Sequence, residues 1–218
     1  MSLFKLKWCT VFFLIFFAKP VFSYEWLSSG KSEEIANPFI MVGFDQSTRV
    51  LTGYVKTIRI APGRTDECSI VFFGNLQKPD AFAVSYLDEI DSSAFVQNAA
   101  LTVQHGQPIL KIRKPIAQAD CEWILPFVGE PRIHELPEEI TLSLGAMMPG
   151  DWLGVYVVKS PCARFHKSPD GSTVQNSFIV KGDIVRVYKW IGNWCYVKYE
   201  KRGRTTAGWL KRTDLLFR

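Results

Sequence analysis

Along the first 150 residues, apolar and polar positions alternate in short runs: RVLTGYVKTIRI, CSIVFFGNL, DAFAVSYLD, PILKIRKPI, CEWILPFV and EITLSLGAM. A two-residue period bounded by Gly, Pro, Asn and Asp is the pattern of strands with one buried face. No 3.6-residue apolar stripe lasts three turns there, and only SSAFVQNAALTV, residues 92–103, reads as a short helix. The pattern sharpens from Gly154. GVYVVKS, the loop CARFHKSPDGST and SFIVKGDIVRVYKWIGNWCYVKYEKRGRTTAGWLKRTDLL predict four or five strands, with turns at Lys181-Gly182-Asp183, Ile191-Gly192-Asn193 and Gly203-Arg204. So short a meander must curl to cover its apolar face and its edges. The expected fold is therefore mainly β: an antiparallel sandwich or barrel-like domain, then a small β-barrel with Val180, Ile184, Val185, Val187, Tyr196 and Val197 inside.

The chain opens on a different pattern. Lys5 and Lys7 precede an apolar run from Trp8 to Ala18, followed by small residues near Val21 and Ser23. A run of about 11 residues suits a signal peptide and falls short of the roughly 20 needed to span a bilayer. Residues 1–23 read as a secretory signal peptide cleaved after Ser23. Cys9 lacks the small residues that precede a lipidated cysteine, so no lipid anchor is expected.

Charge divides the remainder. Residues 24–150 carry 10 Lys and Arg against 16 Asp and Glu, whereas residues 151–218 carry 13 against 5. An acidic all-β domain over 24–150 and a basic barrel over 151–218 are expected, meeting near Met148-Pro149-Gly150, where Pro and Gly interrupt any period. The four cysteines left after export, Cys68, Cys121, Cys162 and Cys195, allow three pairings. In an oxidising compartment the expected pairs are Cys68 with Cys121 and Cys162 with Cys195, since each then lies within one domain. Zinc is not expected, because no CxxC pair occurs.

The C-terminal segment resembles bacterial SH3-like (SH3b) domains. The matching pieces are Arg164 to Asp170 in the first loop, Val180-Lys181-Gly182-Asp183 before a strand, Gly192 to Val197 in the next hairpin, and Gly208-Trp209-Leu210 followed by Thr213-Asp214-Leu215. They run in the family's order over about 60 residues. The resemblance implies a barrel that recognises peptidoglycan or a protein partner outside the cytoplasm, usually without catalysis. It also places Trp194 and Trp209 as buried or half-buried rings. Two departures matter: Phe165-His166-Lys167 stands where many wall-targeting members have Asn-Val-Arg, and a disulfide is not general in the family. Leu51-Thr52-Gly53-Tyr54, followed by Cys68, is similar to exported proteins of Gram-negative bacteria, some of which look like immunity partners of secreted toxins. A periplasmic location follows from that likeness and the signal.

Enzyme motifs fail on inspection. HELPE, 134–138, lacks the second histidine of a zinc protease and holds a helix-breaking Pro137; SGKS, 29–32, lacks the earlier glycine of a phosphate loop; and no G-x-S-x-G elbow is present. His105, His134 and His166 stand apart in the sequence. No catalytic residue, cofactor or metal is expected. Basic residues among aromatics also suit nucleic acid, but an exported protein meets little of it, so a nucleic-acid partner is not expected. The expectation is an exported binding protein whose barrel recognises peptidoglycan or an envelope protein. Its groove would be formed by Arg164, Phe165, Asp170, Trp190 and Tyr199. The alternatives are a periplasmic immunity protein that blocks a toxin or wall hydrolase, and a wall hydrolase with an unfamiliar catalytic domain.

Overall fold

The computed structural model describes residues 22–27, 35–61, 63–78, 81–87, 96–104, 107–113, 139–143 and 148–217. These form fifteen strands and a 3-10 turn, arranged in two antiparallel sheets. The mainly β expectation holds. Of the residues expected to form a short helix, 96–103 belong instead to β6, Val96–Gln104, because partners on both sides supply its backbone hydrogen bonds, and 92–95 lie outside the described residues. The signal-peptide run, Cys121, HELPE, SGKS, His105 and His134 lie outside the described residues.

The first sheet contains β1 (Phe22–Leu27), β2 (Ile35–Asp45), β3 (Val50–Ala61), β4 (Arg64–Lys78), β5 (Ala81–Leu87), β6, β7 (Gln107–Arg113), β8 (Glu139–Ser143) and β9 (Met148–Pro149). Its order is β8-β7-β6-β5-β4-β3-β2-β1-β9, a meander with β9 added at the β1 edge. The alternation read from the sequence separates its two faces. Ile40, Val42, Leu51, Val55, Ile70, Phe72, Leu101 and Leu110 are buried on one face, and Met41, Tyr54, Val71 and Phe73 on the other. The second face packs against the C-terminal sheet.

That sheet contains β10 (Gly154–Val157), β11 (Ala163–His166), β12 (Val174–Ile179), β13 (Ile184–Ile191), β14 (Trp194–Lys201) and β15 (Arg204–Lys211) in the order β10-β13-β14-β15-β11-β12. Val157, Phe165, Ile179, Val185, Val187, Cys195, Val197 and Leu210, drawn from all six strands, share one buried cluster, so the sheet curves around its own core. The β14–β15 turn is Arg202-Gly203, one residue earlier than the sequence suggested. Both residues have positive φ, 53° and 72°, the backbone that lets a two-residue hairpin follow strand twist. Val180 is 39% exposed and Tyr196 packs on Trp209 at 5.5 Å between ring centroids; Cys195 takes the inward position instead.

The expected Cys162–Cys195 bridge is absent. Cys195 faces the core, with its thiol directed at the Leu210 carbonyl 3.6 Å away, whereas Cys162 is exposed in the loop after β10; both are free. Cys68 is disulfide-bonded, to a partner outside the described residues. Among the described residues no helix is long and apolar enough to cross a membrane.

The two sheets meet along β10, and the contact is close. An added Cβ on Gly43 would lie 2.5 Å from the Gly154 Cα, so the strands approach where neither has a side chain. The Trp152 indole Nε1 donates to the Val42 carbonyl at 3.0 Å, and the Val155 N–H donates to the Thr52 hydroxyl at 2.7 Å. The outer side of β10 is thereby capped. Its Val157 carbonyl accepts from the Leu216 N–H at 2.8 Å, and Val158 bridges Leu215, so the chain's last described residues run beside β10.

Candidate functional site

Two clefts flank the contact between the sheets. The first, about 580 Å³, has Tyr156, Trp190 and Phe217 on its C-terminal side and Asp45, Phe73 and Asn75 on the other. The second, about 500 Å³, is lined among others by Phe39, Tyr54, Lys56, Asp183 and Tyr199.

Each side chain of the first cleft is placed by its local structure. A register shift between Val187 and Lys189 puts Trp190 opposite the inward-facing Cys195, so the bulge turns the indole toward the cleft. Arg212 follows β15 in a 3-10 turn, Arg212–Asp214, and its backbone N–H donates to the Asn193 carbonyl at 2.7 Å, which ties it to the β13–β14 hairpin. The segment beside β10 then delivers Phe217 to Tyr156. Asp45 ends β2, where its Oδ1 accepts from the Ser47 N–H at 2.9 Å and the Ser47 hydroxyl at 2.6 Å, a side-chain turn that fixes the carboxylate.

The rings form one packed group. Tyr156 meets the edge of Trp190 at 5.5 Å and Phe217 at 5.0 Å, and Phe73 from the first sheet lies 6.2 Å from Tyr156. The Arg212 guanidinium rests over Phe217 at 4.7 Å and Trp190 at 5.4 Å. Cation–ring contacts of this kind hold a guanidinium in place while leaving its N–H groups free to bind. Burial pushes the Tyr156 phenol well above its usual range, with the Asp45 carboxylate adding to the shift and Arg212 opposing it. The hydroxyl is thus a proton-bearing donor at neutral pH.

The second cleft is more nearly satisfied from within. Lys56 pairs with Glu67 at 2.6 Å, Arg186 pairs with Glu200, and Lys201 approaches Asp183 at 3.7 Å. Tyr199 donates to Asp183 at 2.6 Å, and the same carboxylate accepts from the Val180 N–H at 2.9 Å. Burial and that hydrogen bond raise the Tyr199 phenol pKa. Tyr199 therefore braces the turn before β13.

The groove expected from sequence is not assembled. Trp190 lines the first cleft and Tyr199 the second, while Arg164 and Asp170 line neither. Phe165 is fully buried, because Ala163 and Phe165 alternate inward along β11. Asp170 serves its own loop, accepting from the Ser168 hydroxyl at 2.6 Å and the Ser172 N–H at 2.8 Å; the Ser168 bond, then those of Ser172, hold its carboxyl down to about 2. Trp194 is half-buried, edge-on to His166 at 4.8 Å. Asp45, Tyr156, Arg212 and Phe217 were missed by sequence reasoning. Among the described residues no group of three or more His, Cys, Asp or Glu side chains is arranged to hold a metal. No protein-family model, curated protein or solved structure matches the chain.

Proposed function

We propose that the chain is an exported, non-catalytic recognition protein of the periplasm that binds peptidoglycan or an envelope protein in the first cleft, with an SH3-like barrel supplying the aromatic wall. One observation carries this reading: Tyr156, Trp190 and Phe217 pack together at the cleft beneath the Arg212 guanidinium. Rigid rings offer contact area at small entropic cost, and a few polar groups around them fix orientation. Co-sedimentation of residues 24–218 with purified sacculi is the test. Pelleting that Trp190→Ala abolishes supports wall binding through the cleft. Protein that stays in the supernatant removes the wall as ligand and leaves an envelope protein, to be captured by cross-linking at the cleft rim.

A second reading, an immunity or inhibitor protein, draws on β12. It is the outermost strand of its sheet and exposes Val174 at 49% and Phe178 at 55%. Apolar side chains on an outer strand suit a protein partner. On that reading, deleting the gene is harmful only while the matching toxin is made.

A further inference from the structure

The polar groups of the first cleft narrow the ligand class, on the reading that this cleft is the binding site. Tyr156 is only 6% exposed and lines the cleft, yet its hydroxyl has no hydrogen-bond partner among the described residues. Among the described residues the fully buried polar atoms without a partner are Thr102 Oγ1 and His166 Nδ1, so the Tyr156 hydroxyl is open to the cleft, where an entering ligand can take the bond that water otherwise supplies. Arg212, resting on two rings, forms no ion pair among the described residues. Asp45, also 6% exposed, lines the cleft, and both of its hydrogen bonds to Ser47 use Oδ1. A cation from one sheet and an anion from the other thus flank a donor hydroxyl over an aromatic floor.

We infer that the cleft binds a zwitterionic, peptide-type ligand, its carboxylate on Arg212, its ammonium on Asp45 and a main-chain carbonyl on the Tyr156 hydroxyl. A guanidinium fork matches a carboxylate, and a carboxylate set among apolar rings is best satisfied by a cationic donor. A neutral saccharide would cover both charges without answering either, which costs free energy. A polyanion would meet Asp45. The volume of about 580 Å³ suits a short chain with its apolar body on the rings.

The test uses residues 24–218 and follows the Trp190 indole N–H by NMR, assigned through Trp190→Phe. The probes are a mixed tripeptide pool with free termini, the same pool N-acetylated or C-amidated, and chitotriose. The free pool should shift the Trp190 signal with a Kd of about 1 mM or tighter. Blocking either end should weaken binding about 10-fold or more. Asp45→Asn should cause the same loss for the free pool and none for the acetylated pool; Arg212→Gln should do likewise for the amidated pool. Arg212 is exposed, so its arm stands even if Asp45→Asn disturbs the turn at Ser47. Equal binding of free and blocked pools would overturn the inference. So would a chitotriose shift indifferent to Asp45→Asn and Arg212→Gln, although the cleft would remain a binding site. If no probe moves Trp190 and sacculi leave the protein in solution, the cleft reading falls as well.

Discussion

The Thr52 hydroxyl accepts the backbone N–H of Val155 at 2.7 Å, joining residues 103 apart in the chain across two sheets. Both residues are buried, at 1% exposure each, so the N–H has no water to turn to. Thr52→Val keeps the shape and removes the acceptor. An unsatisfied buried donor costs about 1–3 kcal/mol, and urea unfolding should show that loss. A change under a few tenths would mean that Val155 finds another acceptor.

The Gly43–Gly154 approach leaves no room for a methyl group. Gly43→Ala would place Cβ 2.5 Å from the Gly154 Cα, a backbone contact that no side-chain rotation relieves. Overpacking of this kind costs about 1–3 kcal/mol. Because the strain sits between sheets, limited proteolysis near Trp152 should accelerate more than cleavage within the β14–β15 hairpin.

The two free thiols should behave oppositely. Cys162 is exposed, whereas burial pushes the Cys195 thiol up to about 12. Iodoacetamide at mildly alkaline pH should label Cys162 in the folded protein and Cys195 only after denaturation. Non-reduced peptide mapping that joins the two would contradict the fold. Because the folded pKa of Cys195 is raised from 9.0, its contribution to stability is whole below about 9 and is lost as pH climbs through about 12. Cys195→Ala should flatten that part of the alkaline unfolding curve.

Asp170 gives the reverse sign. Its carboxyl is lowered to about 2 by the Ser168 hydroxyl and then by Ser172, so the ordering it provides is complete above about 4 and is lost as pH falls through about 2. The Ser172 amide resonance should move over that acid range, and in Asp170→Asn it should not.

Phe165 and Trp190 separate core from cleft. Phe165→Ala removes a fully buried ring and should cost about 3–5 kcal/mol. Trp190→Ala takes away a half-buried ring at a cleft wall and should lose binding with a smaller loss of stability.

The strands of both sheets are legible in the sequence because a two-residue period and Gly or Asn turns are local signals. The inward positions of Val185, Val187 and Val197 follow from the same alternation. That rule also holds the correction to Phe165, which shares its parity with Ala163, and to Cys195, which shares it with Val197. Loop resemblance and cysteine count drew both readings away from it. The cleft is a different matter. Asp45, Tyr156 and Arg212 are brought together by sheet packing over glycine, and the bulge after Val187 that turns Trp190 toward them has no marker residue in the sequence. Val96–Gln104 misled because its run Ala99-Ala100-Leu101 suits a helix locally, and only strand partners on both sides decide otherwise.

Phe217 is held at the cleft by the Leu216 N–H bond to Val157, so whatever follows it in a polypeptide starts at the mouth of the first cleft. A purification tag or fluorescent protein fused there would crowd Tyr156 and Arg212, and capture from such a fusion would report an empty surface. A handle placed at the Arg202-Gly203 turn, which is exposed and away from this cleft, leaves the rings open to a ligand.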